Sequence, residues 1–196
     1  MSALARLLPA WLPLALAACA TSSADADQRR LWAAAPAHAT ARLWLADGHL
    51  AGVVVPTGGP GSMPLAVRTT LRAVAPDGET LFEGREWGPA GTGWRIEKRY
   101  HEDRADHLRS LLIAADGRVL ERDHTVPLAA VPPAVLATAL PLGPIVDEAR
   151  IVSDGDRETH WLLVVRDRDE RVFVAKVGLR GEDLGHLRRL PARIDG

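Results

Sequence analysis

The sequence predicts an α+β protein: two tandem repeats of a short helix followed by a four-stranded antiparallel meander, preceded by an N-terminal hairpin. Two observations lead to this fold class. Eight strand-like runs fall into two sets of four, and each set follows a proline-led segment of helical periodicity. The two sets also align, with Trp94 and Trp161 67 residues apart and Pro64 and Pro132 68 residues apart.

The first 18 residues predict a secretory signal peptide. Arg6 is their single charge, and the mostly apolar run 7–18 is too short to span a bilayer as a mature helix. The ending "LAAC" resembles the lipobox of bacterial lipoproteins. This resemblance implies cleavage before Cys19 and attachment of acyl chains such as palmitate to that cysteine. The alternative is an ordinary signal peptide with an incidental cysteine near its cleavage site.

Composition narrows the possible partners and the compartment. The formal net charge of -1 provides no polyanion-binding surface, so we expect no nucleic-acid partner. One cysteine excludes an internal disulfide and any multi-cysteine metal site. Ala20 follows Cys19 where inner-membrane lipoproteins carry aspartate, which favours the outer membrane, facing the periplasm, in a Gram-negative cell.

The mature chain begins with a tether and a hairpin. Residues 19–30 are small and polar and predict a lipidated cysteine with a flexible tether. Residues 31–62 hold the predicted hairpin and a Gly/Pro-rich linker. Its strands, Leu43–Ala46 and His49–Val55, flank an Asp-Gly pair suited to a tight turn.

The two predicted repeats span residues 63–130 and 131–196. Their helices follow Pro64 and Pro132, with apolar residues at i, i+4 and i+7. The strands predicted for the first repeat are Thr80–Trp87, Gly93–His101, His107–Ala114 and Arg118–His124. Those predicted for the second are Ile145–Ser153, Thr159–Arg166, Arg171–Gly178 and Leu184–Leu190.

Residues 63–196 resemble the PepSY-like families, and most closely the tandem β-lactamase-inhibitor-like proteins. The resemblance rests on "MPLAVRTTLRAVAPDG", "GWRIEKRY" and "IAADGRVLERD". The second copy departs from it, because "LRGEDLGHL" stands where an Asp-Gly turn is expected. The resemblance implies non-enzymatic envelope proteins that bind or inhibit other proteins, and it transfers no catalytic residues.

The stretch "HEDRADH" at 101–107 is the strongest candidate for chemistry. Its histidines are six residues apart, so the H-E-x-x-H spacing of a zinc-binding helix is not met. The corresponding place in the second repeat, "DRDE" at 167–170, has similar charges and no histidine. We therefore expect a solvated hairpin tip. The alternative is a weak divalent-metal site made by His101, His107 and neighbouring acids.

No other pattern indicates catalysis or a cofactor. The serines at 62, 110 and 153 lie outside any G-x-S-x-G context, and Cys19 is expected to be lipidated. Trp94 and Trp161 are interpreted as core residues beneath each helix. Trp87 and Tyr100 are the predicted partner contacts, since exposed aromatic residues are enriched in interface hot spots.

These observations predict a lipid-anchored, non-enzymatic protein of the bacterial cell envelope. It would bind or inhibit an unidentified envelope protein through the sheet face that its helices leave uncovered. The membrane is the second expected partner, through Cys19. The alternative is a periplasmic lipoprotein that binds a metal or small ligand with His101 and His107.

Overall fold

The described part of the chain folds into one antiparallel sheet that closes on itself. A computed structural model describes residues 30, 31, 33, 35–58, 60–102 and 105–194. Its strands are β1 (Thr40–Ala46), β2 (His49–Pro56), β3 (Glu79–Gly88), β4 (Gly91–Glu102), β5 (Ala105–Ile113), β6 (Val119–Val126), β7 (Ile145–Asp154), β8 (Arg157–Arg166), β9 (Val172–Gly178) and β10 (Asp183–Arg193). The helices are α1 (Leu65–Val74) and α2 (Pro133–Ala139), with 3-10 turns at Pro60–Ser62, Leu128–Ala130 and Leu140–Leu142.

The ten strands form a closed barrel of simple meander topology. Each strand pairs with its neighbours in the chain, and β10 pairs with β1 from Thr40↔Arg193 to Leu45↔Arg188. Closure leaves no sheet edge with unpaired backbone groups. The two helices lie in the connections β2–β3 and β6–β7.

The predicted α+β class of two helix-and-meander repeats is therefore wrong. All ten predicted strands exist close to their expected positions, but β2 pairs with β3, β6 with β7 and β1 with β10. The N-terminal hairpin and both meanders thus form a single closed sheet. Local alternation and turn residues predict individual strands and hairpins, whereas pairing across a helical connection leaves no local signature.

The apolar core lies outside the barrel, between the sheet and the segments that cover it. Strand residues alternate between the inner and outer faces. On the outer face, α1 packs over Trp94, Ile96 and Leu111. Likewise α2 packs over Trp161 and Leu163. These contacts confirm that Trp94 and Trp161 are core residues beneath the helices, 5% and 6% exposed.

A third apolar cluster closes the outer face near the chain ends. Leu31 and Ile194 pack there against Ala41 of β1 and against Val53 and Val55 of β2. The outer face is thus covered at three places around the barrel. Of the helices that the structure describes, none has the length and apolar composition needed to cross a membrane.

Each helix is fixed to a turn of the barrel by the same contact. Thr70 Oγ1 of α1 donates to the carbonyl oxygen of Gly117 at 2.7 Å, and Thr138 Oγ1 of α2 donates to that of Gly181 at 2.7 Å. Both glycines have positive φ, 93° and 97°. Gly181 lies in the stretch "LRGEDLGHL", where the sequence has no Asp-Gly pair. Gly181 provides the tight turn there instead.

We predict that Gly181→Ala destabilises the barrel more than Gly185→Ala. Both positions have positive φ, 97° and 101°, so each alanine costs about 1–2 kcal/mol of backbone strain. A Cβ at Gly181 would also lie 3.0 Å from the Ala134 carbonyl group of α2, whereas one at Gly185 meets nothing within 4 Å. Overpacking adds about 1–3 kcal/mol at Gly181 alone.

Urea unfolding of both variants and the wild type measures the difference. Equal losses of unfolding free energy in the two variants would contradict the proposed close packing of α2 on this turn.

Candidate functional site

A cavity of about 460 Å³ lies inside the barrel, lined by inward-facing side chains from its strands. Inward glycines on β2 and β3 make room for aromatic rings. A Cβ at Gly52 would lie 2.9 Å from Trp44 Cδ1, and one at Gly84 would lie 2.7 Å from the Phe82 ring. The absence of side chains at these two positions lets both rings lie against the wall.

One side of the cavity is charged. The polar lining residues contributed by β3 to β7 are Glu86, Arg95, Glu97, Ser110, Glu121, Asp123 and Arg150. They occupy alternate positions on their strands, opposite in direction to outer core residues such as Trp94 and Ile96. We call these seven residues the charged wall.

Arg95 is the centre of the charged wall. Its Nε donates to Glu86 Oε2 at 2.6 Å and its Nη2 to Glu86 Oε1 at 2.9 Å. It also donates to Ser110 Oγ at 3.0 Å and to Glu121 Oε1 at 2.9 Å. Burial disfavours the guanidinium, but the neighbouring carboxylates outweigh it and raise the pKa of Arg95. Arg95 therefore remains a fixed cation.

Two further arginines extend the network. Arg150 donates to Asp123 Oδ1 at 3.2 Å and to Glu148 at 2.8 and 3.2 Å. Arg42 of β1 reaches across the barrel and makes a two-pronged ion pair with Glu97 of β4. The Arg42–Glu97 pair connects β1 with β4, which are not neighbours in the sheet, whereas Arg150 and Asp123 lie on the neighbouring strands β7 and β6. Removing one partner of such a buried pair typically costs about 3–5 kcal/mol.

Asp123 is the most buried acid of the network, with 2% of its surface exposed. Burial raises its pKa from 3.8 to about 6, although Arg150 and Arg95 both favour the carboxylate. Arg95 Nη1 lies 3.7 Å from its Oδ2, and Glu121 on the same strand adds a like charge. Asp123 therefore titrates in a range where ordinary aspartates are fully ionised.

The opposite side of the cavity carries most of its apolar lining residues, together with the basic side chains of Arg42, His160, Lys176, His186 and Arg189. Its aliphatic and aromatic lining residues come from β8, β9, β10, β1 and β2: Leu162, Val164, Val174, Leu187, Trp44 and Val54. We call these six residues the apolar wall. All four carboxylates of the lining thus lie on β3–β6, while most of its apolar side chains lie on β8–β2.

The cavity reaches one end of the barrel. Pro89 and Ala90 of the β3–β4 turn line it, as do Leu184, Gly185 and His186 at the start of β10. In an antiparallel meander these two segments lie at the same end, together with the β1–β2 turn at Asp47-Gly48. Leu184 is 50% exposed there, so apolar surface borders this end of the cavity.

The stretch "HEDRADH" forms the β4–β5 hairpin, with Glu102 paired to Ala105, as the prediction of a hairpin tip requires. His101 pairs with Asp106, and His107 pairs with Tyr100. Adjacent strand positions face opposite sides of the sheet, so the two histidine side chains do not converge. His101 Nδ1 lies 3.1 Å from Asp106 Oδ1. No group of three potential metal ligands occurs among the described residues, which omit Asp103 and Arg104.

The predicted partner contacts lie on the outer face of the barrel. Tyr100 is 7% exposed and belongs to the core cluster beneath α1. Trp87 is half-buried against the cluster that contains Leu31 and Ile194. Cys19, the predicted lipid-attachment site, lies outside the described residues.

Sequence reasoning missed the cavity although a signal was present. In "GWRIEKRY", Arg95 and Glu97 alternate with Trp94 and Ile96, which indicates a strand with one charged and one apolar face. Alternation alone does not say that the charged face points inward. That information comes from closure of the sheet.

No family model, curated protein or solved structure matches this chain. The PepSY-like resemblance therefore stays a prediction.

We predict a specific pH dependence for Asp123→Asn. Well below pH 3.8 Asp123 is protonated in both the folded and the unfolded state, so its neutral side chain resembles the asparagine of the variant. Between about pH 4 and pH 6 the folded wild type retains a proton that the unfolded chain loses, so raising the pH disfavours folding. Relative to the variant, the wild type should therefore lose roughly 3 kcal/mol of unfolding free energy from pH 3 to pH 7.

Urea unfolding of both proteins across this pH range measures that difference. Taking the difference between the two cancels the contribution of other titrating groups, such as Glu97, whose pKa is lowered. Parallel stability curves would show that Asp123 titrates normally in the folded protein.

Proposed function

We propose that this chain is a lipid-anchored, non-catalytic binding protein of the cell envelope that holds a small amphipathic organic molecule inside its barrel. The observation that carries the proposal is the two-sided cavity, with its charged wall on β3–β7 and its apolar wall on β8–β2. A molecule with one polar and one apolar part matches both sides at once.

The size of the cavity suits such a ligand. Its volume of about 460 Å³ lies in the range of about 300–1,000 Å³ typical of small-molecule sites. The apolar wall offers burial of hydrophobic surface, worth about 25 cal/mol per Å² removed from water. The end lined by Pro89, Ala90 and Leu184 provides the route of entry.

Binding without chemical conversion is favoured by how the acids are held. Glu86 and Glu97 accept bonds from Arg95 and Arg42, and Asp123 is almost inaccessible. Ser110 Oγ accepts a hydrogen bond from Arg95 at 3.0 Å. A nucleophilic serine needs a general base next to its hydroxyl, whereas Ser110 contacts a cation. The wall thus acts as a rigid, preorganised surface.

A small ligand fits the structure better than the envelope protein partner that the sequence suggested. The sheet face expected to meet that partner lines the cavity, and Tyr100 is buried under α1. The sequence also suggested a small-ligand site at His101 and His107. These two side chains face opposite sides of the sheet, so we place the ligand in the cavity instead.

The anchor is proposed from the sequence. Ten residues, 20–29, separate Cys19 from the first described residue. Fully extended, they span at most about 35 Å. A barrel attached through this segment samples the aqueous layer next to the membrane while remaining concentrated at its surface.

Leu162→Trp tests the cavity as the binding site. We expect the wild type to bind the neutral fluorophore N-phenyl-1-naphthylamine or decanoate with a stoichiometry of one. Leu162→Trp places a larger ring inside the cavity, where it competes with the ligand for space, and should weaken binding at least tenfold. Leu65→Trp is the matched control, because Leu65 is 70% exposed on α1 and the variant should bind normally. Fluorescence titration and isothermal titration calorimetry provide the measurements.

Val174→Phe on the neighbouring strand is a second blocking variant, and circular dichroism checks that each variant is folded. The proposal is rejected if neither probe binds the wild type. It is also rejected if folded Leu162→Trp and Leu65→Trp bind alike.

Cys19→Ala tests the anchor. The wild type, expressed in a Gram-negative host, should partition into detergent and yield an N-terminal peptide carrying acyl chains by mass spectrometry. The variant should be released in soluble form, because the acyl chains have no attachment site. An unmodified Cys19 in the mature wild type would show that the signal peptide is of the ordinary kind.

A further inference from the structure

Resting on the proposed function, we infer that the ligand of this barrel is an organic anion whose acidic group pairs with Arg189. The inference starts from an imbalance in the cavity. Its lining contains five permanently cationic side chains, Arg42, Arg95, Arg150, Lys176 and Arg189. It contains four carboxylic acids, Glu86, Glu97, Glu121 and Asp123.

The other arginines of the cavity are already paired. Arg42 is bound to Glu97, Arg95 to Glu86 and Glu121, and Arg150 to Asp123 and Glu148. The guanidinium of Arg189 has no carboxylate within 4.0 Å and no hydrogen bond among the residues that the structure describes. A guanidinium with five donors and no acceptor in a partly desolvated cavity is a site for an anion.

The position of Arg189 indicates which shape of ligand fits the cavity. It lies on β10 directly opposite Trp44 of β1, and two residues from Leu187, which pairs with Val174. Arg189 is thus bordered by the apolar wall, while the nearby carboxylates Glu97 and Glu148 are bound to Arg42 and Arg150. A ligand with its acidic head at Arg189 can place a hydrocarbon body along Leu187 and Val174.

The surrounding charges also favour an anion. Burial lowers the pKa of Arg189, and the repulsion by Arg42 and Arg150 acts in the same direction, against the smaller opposite effect of Glu148 and Glu97. A bound anion would relieve this repulsion. The guanidinium stays protonated at neutral pH, because the ordinary pKa of arginine lies far above neutrality.

The three other basic groups on this side, His160, Lys176 and His186, are weaker candidates. His186 is exposed at the start of β10, where its ring makes an edge contact with Phe173. His160 lies 2.9 Å from Thr159 Oγ1, and burial lowers its pKa, so it is neutral at pH 7. Lys176 lines the cavity but its side chain is exposed to solvent. Water screens an exposed ammonium more strongly than a partly buried guanidinium. Arg189 is therefore the group that selects the ligand's charge.

A series of ligands with one tail and different heads tests the inference. Decanoate, decyl sulfate, 1-decanol and decyltrimethylammonium are titrated into the full-length protein by calorimetry, below their micellar concentrations. We expect both anions to bind the wild type about 10- to 100-fold more tightly than 1-decanol, as one charge-assisted contact provides. Decyltrimethylammonium should bind most weakly.

Two variants assign the effect to one residue. Arg189→Met should abolish the preference for the anions and leave 1-decanol binding unchanged, while Arg189→Lys should retain part of it. Lys176→Met is the matched control, since it removes the same charge from the same cavity and should keep the preference. Thermal unfolding confirms that the variants are folded.

The possible failures are distinguishable. If anion and alcohol bind the wild type equally, the inference is wrong while the proposed function stands. If no member of the series binds, the proposed function fails and the inference with it. If Lys176→Met removes the preference as fully as Arg189→Met, the assignment to Arg189 is wrong.

Discussion

Pairing of β10 with β1 converts an antiparallel meander into a barrel, and the chemistry of this protein follows from that closure. Six residue pairs, from Thr40↔Arg193 to Leu45↔Arg188, join strands that lie at opposite ends of the described chain. Without them the charged face of β3–β7 would be an open surface exposed to water. With them it becomes the wall of an enclosed space, where each arginine needs a specific partner.

Closure also explains why the apolar core lies on the outside. The interior of a ten-stranded barrel is wide, and this sequence places charged side chains and glycines at many of its inward positions. Outward positions carry the residues that drive folding, and α1, α2 and the chain ends cover them. The network of Arg95 and Arg150 contributes cross-strand connections on the inside. Its desolvation cost offsets much of its Coulombic gain.

The sequence predicted what is local and missed what is distant. Strands, turns, both helices and the burial of Trp94 and Trp161 follow from alternation, periodicity and proline position. The barrel was missed because its three decisive pairings join segments separated by helices or by most of the chain.

The same division applies to the candidate site. The alternation in "GWRIEKRY" predicts that β4 has one charged face. That Arg189 has no carboxylate partner was not predictable, because this depends on which strands face it across the barrel. The same holds for "HEDRADH", because the pairing register of β4 and β5 determines which way its histidines face. A register shifted by one residue would pair His101 with His107 and place both side chains on the same face of the sheet.

The location of the core outside the barrel has an evolutionary consequence. In most small domains the residues that recognise a ligand and those that hold the fold together share one interior, so changing specificity risks unfolding. Here the two sets occupy opposite faces of the same strands. Substitutions at Leu162, Val174 or Leu187 alter the lining of the cavity and leave the contacts beneath α1 unchanged. Descendants of this chain are thus free to acquire new ligands while keeping one unchanged scaffold.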